Sequence, residues 1–384
     1  MIRARLTTSA LFLTNGALFA NLAPRLPEFK EQLGLDASGY GLLVAAWPAG
    51  ALAAGLGAGW LIRRFGSGTV AVFGTILTGL AILGAALAAP SVALVAAAFA
   101  LGGAMDAITD VAQNAQGLVV QRRIGRSIIN SFHALWSVGA VLGGLMAAAA
   151  LNLPLAVHFA GSWLLFSALA LAVWRFCLPD ERVRRKVVGA PTVRIPVSAR
   201  TIITITALVL IAVAAVAVED AGNSWATLYL SSLGAPGPLA AAGFIVLVGA
   251  QFIGRLLGDG MVERVGQRAV AQGGTLLLTV GMGLALAFPS IPGSLAGFAA
   301  AGFGVATLVP AAMAQADQLP GLAPGTGLSV VSWLMRVGTL LSPPLVGLLA
   351  QHYSLRAGLL LVPLLGVIVL LCSPVLRARR SRVR

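Results

Sequence analysis

Apolar runs of about twenty residues recur along the whole chain, each ended by proline, glycine or charge, and few folds tolerate that pattern. Wound as a helix, a run of that length matches the ~30 Å hydrocarbon core of a bilayer. Twelve such segments can be placed, at 6–29, 38–62, 67–89, 91–119, 127–150, 154–176, 200–232, 236–258, 268–288, 292–314, 325–350 and 354–376. With 58% hydrophobic and only 10% charged residues, the chain lacks the polar surface a water-soluble fold of this size needs. The expected fold class is an all-α polytopic membrane protein with twelve transmembrane helices in two pseudo-symmetric six-helix bundles. The opening stretch, with Arg3 and Arg5 ahead of an apolar run, imitates a secretory signal. Without a small-residue cleavage site it reads as an uncleaved first helix. The seventh segment is too long for one straight span, and its Gly222-Asn223-Ser224 predicts a break.

The net charge of +14 would suggest nucleic acid if the basic residues formed one face. Their placement instead sets orientation. Arg25, Lys30 and Arg356 fall on one side and Arg336 mid-span, leaving 22 of 26 basic residues on the other. The positive side of a membrane protein is the cytoplasmic one, so both termini are expected inside, in a plasma or inner membrane. The basic stretch 177–199 divides residues 1–176 from 200–376, and 377–384 forms a basic tail. The halves repeat. Gly59-Trp-Leu-Ile-Arg63-Arg64-Phe-Gly66 answers Asp259-Gly-Met-Val-Glu263-Arg264-Val-Gly266 at an offset of 200, and Val138-Gly139 answers Val337-Gly338 at 199. Repeated bundles of this kind enclose a solute site at mid-depth.

The loop Gly-Trp-Leu-Ile-Arg-Arg-Phe-Gly resembles the signature of the major facilitator superfamily. The segments NGALFANLAPRLPEFKEQLGLD, DVAQNAQG, SFHALWSVG, EDAGNSWATLYL and SPPLVGLLA resemble, more narrowly, its YbjJ-like branch, distant relatives of fucose permeases. The resemblance implies alternating-access transport, with the loop residues Gly59, Arg63, Arg64, Gly66, Asp259, Glu263, Arg264 and Gly266 gating the conformational change. The family's usual loop Asp is Arg63 here, and Glu263 stands at the matching place in the second half, so the first-half latch is weakened or reversed in sign.

The polar residues inside the spans carry the chemistry. Asp106, Asp110, Gln113, Asn114 and Gly117 share one face of the fourth helix. Lipid does not solvate carboxylates, so this stripe is expected to face a cavity, at a cost of several kcal/mol if left unpartnered. A carboxyl group that exchanges a proton near neutrality suits coupling to the membrane potential, where one charge across 100 mV is worth ~2.3 kcal/mol. Arg336 keeps its charge almost anywhere and needs an anion, either Asp106 or Asp110 across the bundles, Glu219 or Asp220, or an anionic solute. Glu219, Asp220, Asn223 and Trp225 flank the predicted break in the seventh helix, with Glu219 favoured as inward-facing. His133 enters the fifth helix at the depth of Asp110 and titrates in the range a proton relay needs. Asn21, Gln251 and Ser332 are further cavity candidates. Arg25 is expected at the outer rim beside Glu28, Arg255 in a cytoplasmic charge network, and His158 near the outer interface.

Only Lys30 and Lys186 occur as lysines, and neither follows a phosphate-cradling Gly-rich loop, so no nucleotide-driven pump is expected. No metal-ligand spacing, catalytic constellation or cofactor motif stands out. The chain is therefore expected to be no enzyme and to work without a cofactor. The expected function is proton-coupled transport of a small polar organic solute, by a monomer in a lipid bilayer. The alternative is proton/drug antiport, which acids in place of an Arg in the fourth helix, and Ala140 where the antiporter turn has Pro, both disfavour. A remoter one is a solute sensor on a transporter fold.

Overall fold

The computed structural model describes residues 1–55, 57–125, 128–179, 198–316, 318–322 and 326–376. Among these residues lie twelve membrane helices. The first six are α1 (Ile2–Leu22), α2 (Ala37–Gly55, continued by Ala58–Phe65), α3 (Ser67–Ala88), α4 (Val92–Ile124), α5 (Ile129–Ala149) and α6 (Leu155–Trp174). The second six are α7 (Ala199–Ser232), α8 (Gly237–Val265), α9 (Gln267–Ala287), α10 (Ile291–Val305 and Leu308–Ala316), α11 (Thr326–Leu334 and Arg336–His352) and α12 (Leu355–Leu359 and Leu361–Cys372). Eleven contain segments long and apolar enough to cross a membrane. The exception, α1, carries Arg3, Arg5 and two asparagines, and buries Asn15 and Asn21 inside its bundle instead of facing lipid. Most of the expected basic linker and all of the expected tail lie outside the described residues.

The repeat seen in the loops extends to the turns and to the packing. Gly66 (φ 86°) and Gly266 (φ 91°) each end one helix and begin the next, and their amides close onto Ile62 and Val262 at 2.8 and 2.9 Å. Positive φ is open to glycine at little cost, which is why both positions hold one. Inside the bundles, helices approach until a glycine lies against a carbonyl. A Cβ on Gly103 would sit 1.9 Å from the Trp47 oxygen, and one on Gly302 would sit 2.0 Å from that of Leu247. Gly139 against Leu13 and Gly338 against Val213 form a second such pair, at 2.0 and 2.4 Å. Each pair maps onto the other at 199 or 200 residues. Without a hydrophobic force between helices in lipid, close packing through small residues is what holds a bundle together.

The break predicted in α7 is absent: the helix runs unbroken from Ala199 to Ser232. Gly222 is there because Leu247 packs onto it, a Cβ falling 2.0 Å from Leu247 Cδ1. Two interruptions come at prolines elsewhere. Pro310 and Pro363 lack the amide that would close onto residues 306 and 359, and the helices are interrupted at 306–307 in α10 and at Leu360 in α12.

The two halves meet at the end of the molecule opposite the termini. There α2 crosses α11, with Gly41 under the Pro343 carbonyl and Gly347 under that of Ala37. The Ala37 amide donates to Gln351 at 3.2 Å, and the Tyr40 hydroxyl donates to the Ser224 carbonyl at 2.6 Å. Trp225 stands edge-on to Tyr40, centroids 4.7 Å apart. On the terminal side Arg63, Arg64, Glu263 and Arg264 are exposed and make no ion pair among the described residues. The α2–α11 and Tyr40 contacts seal the molecule at the end opposite the termini.

A Cβ on Gly41 would come within 2.4 Å of the Pro343 oxygen, so Gly41→Leu is expected to force this seal apart. Spin labels at Asp36 and Tyr353, in a background lacking Cys177 and Cys372, should move to longer distances in double electron–electron resonance. An unchanged distribution would show that the seal has slack for a side chain.

Candidate functional site

A cavity of about 280 Å³ lies between the halves. From the first half it is lined by Asn15 and Phe19 of α1, Trp47 and Pro48 of α2, Phe99 and Asp106 of α4, and Trp136 of α5. From the second half come Glu219, Asp220 and Asn223 of α7 with Arg336 and Thr339 of α11. Three acids and one guanidinium thus share a chamber walled by two indoles and two phenyl rings.

Each acid is held differently. Asn15 donates its amide to Asp106 Oδ1 at 2.7 Å and accepts from the Trp136 indole at 2.8 Å, so one side chain orients an acid and an aromatic together. Glu219 accepts from Gln251 at 2.7 Å and faces Arg255 at 3.8 Å. Asp220 is the least satisfied: its Oδ2 is buried with no hydrogen-bond partner, as is Oδ1 of Asn223. Arg336, half-buried, makes no side-chain hydrogen bond or ion pair among the described residues. Its nearest electrostatic neighbours include Asp106 and Asp110.

Several expected positions fall elsewhere. Asp110 does not line the cavity; its carboxylate accepts from Asn114 at 3.1 Å. His133 reaches Asp110 only through Asn114, whose Oδ1 stands 3.1 Å from its Nε2. An amide passes no proton readily, so the direct His133–Asp110 relay is corrected to an indirect contact. Gln113 is fully buried and donates to the Leu11 carbonyl at 2.9 Å, tying α4 to α1. Trp225 belongs to the seal beside Tyr40 and is also fully buried. Gln251 orients Glu219 without lining the cavity, and Ser332 lies off it too. Arg255, expected in a cytoplasmic network, instead reaches up to Glu219.

Asn21 is corrected furthest. With Arg25, expected at the rim, and His158, expected at the interface, it forms a buried network away from the cavity. Arg25 is 0% exposed and donates to Glu28, to the Ala150 and Leu153 carbonyls at 2.8 and 2.7 Å, and to His158 Nδ1 at 3.1 Å. Arginine only donates, so Nδ1 accepts, and the ring proton sits on Nε2, which donates to Asn21 Oδ1 at 2.8 Å. A buried charge this fully bonded is structural: removing one partner of such a pair costs about 3–5 kcal/mol.

Sequence reading missed Asn15 and Trp47. The signal was available: Asn15, Phe19, Leu22 and Leu26 recur at i, i+4, i+7 and i+11, one helical face.

The family model for the Major Facilitator Superfamily matches residues 8–259 and 239–384. The chain belongs to the Major Facilitator Superfamily. An uncharacterized transporter, y4wD, of Sinorhizobium fredii (strain NBRC 101917 / NGR234) is 30% identical over 376 residues, covering 96% of this chain and 97% of the relative. Among solved structures, the nucleoside transporter NupG (D323A mutant) superposes with a TM-score of 0.75 at 11% identity, covering 97% of this chain and 99% of that one. The D-xylose-proton symporter follows at 0.74 and 14%, with 96% of each chain covered. Identities this low report the shared superfamily fold alone.

Within this superfamily member, Asn15 is the residue on which the first-half wall depends. Asn15→Leu removes two part-buried hydrogen bonds and leaves the Trp136 indole and Asp106 short of a partner. A loss of about 1–3 kcal/mol is expected, seen as a lower thermal midpoint of the purified protein. No change would mean that water replaces the amide.

Proposed function

We propose that this superfamily transporter couples movement of a small polar organic solute to protons, with Asp106 as the proton-carrying group. The observation that carries the reading is the meeting of Asp106, Glu219, Asp220 and Arg336, from both halves, in one cavity sealed at one end. Acids in such a place are costly unless they do something. Glu219 is engaged by Gln251 and Arg255, which leaves it less free to trade a proton. Asp106 accepts from the neutral amide of Asn15 and belongs to no ion pair among the described residues. It can therefore be neutralised without breaking a charge pair.

With both termini in the cytoplasm, as the basic-residue bias supports, the sealed end faces outward and the cavity opens inward. Alternating access then needs the Gly41–Pro343 and Gly347–Ala37 contacts to part while the loops around Gly59–Gly66 and Asp259–Gly266 close. Arg63, Arg64, Glu263 and Arg264 supply the charges for that second seal. The YbjJ-like segments agree with a permease of this kind acting as a monomer in the inner membrane.

In proteoliposomes loaded with a pH-sensitive dye, adding sugars, polyols, amino acids and organic acids one by one should identify a solute that moves protons. Asp106→Asn should cut that proton movement at least tenfold and keep solute counterflow. A variant that still follows the pH gradient would remove Asp106 from the coupling.

A further inference from the structure

We infer that the cavity takes a zwitterionic solute, its anionic group on Arg336 and its cationic group on Asp220 and Asn223. This rests on the transport reading above and names the class of solute for the same chamber. Buried polar atoms in folded proteins nearly always have partners, and each exception calls for a reason. Two exceptions among the described residues, Asp220 Oδ2 and Asn223 Oδ1, belong to side chains that line this cavity, and both atoms are acceptors. They stand three residues apart on α7, so they share one face. The guanidinium that lines the cavity is the complement: Arg336 offers donors in a fixed fork that suits a carboxylate, and among the described residues no anion bonds to it.

Closure of the cavity would strip water from these groups. A neutral sugar could hydrogen-bond to all three and still leave the Arg336 charge unbalanced by the solute. A simple amine would satisfy α7 and leave Arg336 bare, while a simple acid would do the reverse. A solute with one charge of each sign answers both ends and adds no net charge. The Asp106 carboxylate, already engaged by Asn15, is then left for the proton. Between the two polar ends, Trp47, Trp136 and Phe99 provide an apolar wall for the solute's carbon skeleton.

The test uses matched skeletons: phenylalanine, leucine and β-alanine, each beside its deaminated acid and its decarboxylated amine, with xylose as the uncharged probe. At least one amino acid should raise the thermal midpoint of the purified wild-type protein, where its acid, its amine and xylose do not. Arg336→Gln and Asp220→Asn should each weaken that binding at least tenfold, and Arg336→Lys should restore part of it. The inference falls if an acid, an amine or xylose stabilises the protein as well as the zwitterions do. It falls equally if no zwitterion stabilises it, or if binding survives both neutralising variants. Proton movement driven by xylose or by an amine would sink the solute class and leave coupling intact. An amino acid that binds but moves no proton would do the opposite.

Discussion

Inside a bilayer a charge must find a partner, and this constraint orders the molecule. Arg25 is surrounded by Glu28, two carbonyls and an imidazole, and the network it forms pins α1 to α6 and to the turn between α5 and α6. Glu219 is met by Gln251 and Arg255 of the neighbouring helix α8. Groups treated in this way act as rivets. Arg336 and Asp220 are treated differently: among the described residues Arg336 makes no ion pair and Asp220 Oδ2 no hydrogen bond. The same physics that makes the first set structural supports the proposal that the second set meets a partner from outside the chain.

The scaffold is symmetric and the chemistry is not. Turns, capping glycines and helix contacts recur at an offset of 199 or 200, down to Trp47–Gly103 answered by Leu247–Gly302. The cavity residues break the repeat. At the same offset Asn15 corresponds to Ala215, Trp47 to Leu247, Glu219 to Phe19, Asp220 to Ala20 and Arg336 to Ser137. Two equivalent bundles are mechanically suited to rocking about a shared centre. A solute with two unlike ends needs unlike walls. Divergence at the facing surfaces supplies those walls, while the glycine contacts and turns named above still recur.

The helices and the repeat were legible from sequence because lipid imposes length and apolarity on every span. The seventh helix was misread since Gly-Asn-Ser is a break signal in water-exposed chain, whereas here Gly222 answers a close approach by Leu247. The site was legible in part. Asp106, Glu219, Asp220, Asn223 and Arg336 line the cavity, but Asn21, Gln113 and Trp225 do not. A polar stripe shows only that a helix face avoids lipid. It does not tell a water-filled chamber from a bonded bundle interior. Asn21 satisfies His158 and Gln113 satisfies Leu11, contacts between helices far apart in sequence. Asn15 escaped notice for the converse reason, as a single polar residue on an otherwise apolar face.

The sealed and open ends differ in what holds them, and this bears on how the cycle turns. The far end closes through glycine–carbonyl approaches and two hydrogen bonds, contacts without net charge that salt or pH hardly touches. The opposite end carries exposed charge: Arg63 and Arg64 on one half, Glu263 and Arg264 on the other. Closing it brings an Arg pair toward a loop of mixed sign, so the attraction is small and falls with screening. On the proposed alternating-access reading, an end that closes weakly by itself would stay open until something in the cavity draws the halves together. A solute bridging α7 and α11 would, on the same reading, brace the second half, and neutralising Asp106 on the first would remove the charge that opposes dehydration of the cavity. Both events lower the cost of closure at the centre, where the cavity residues of the two halves meet.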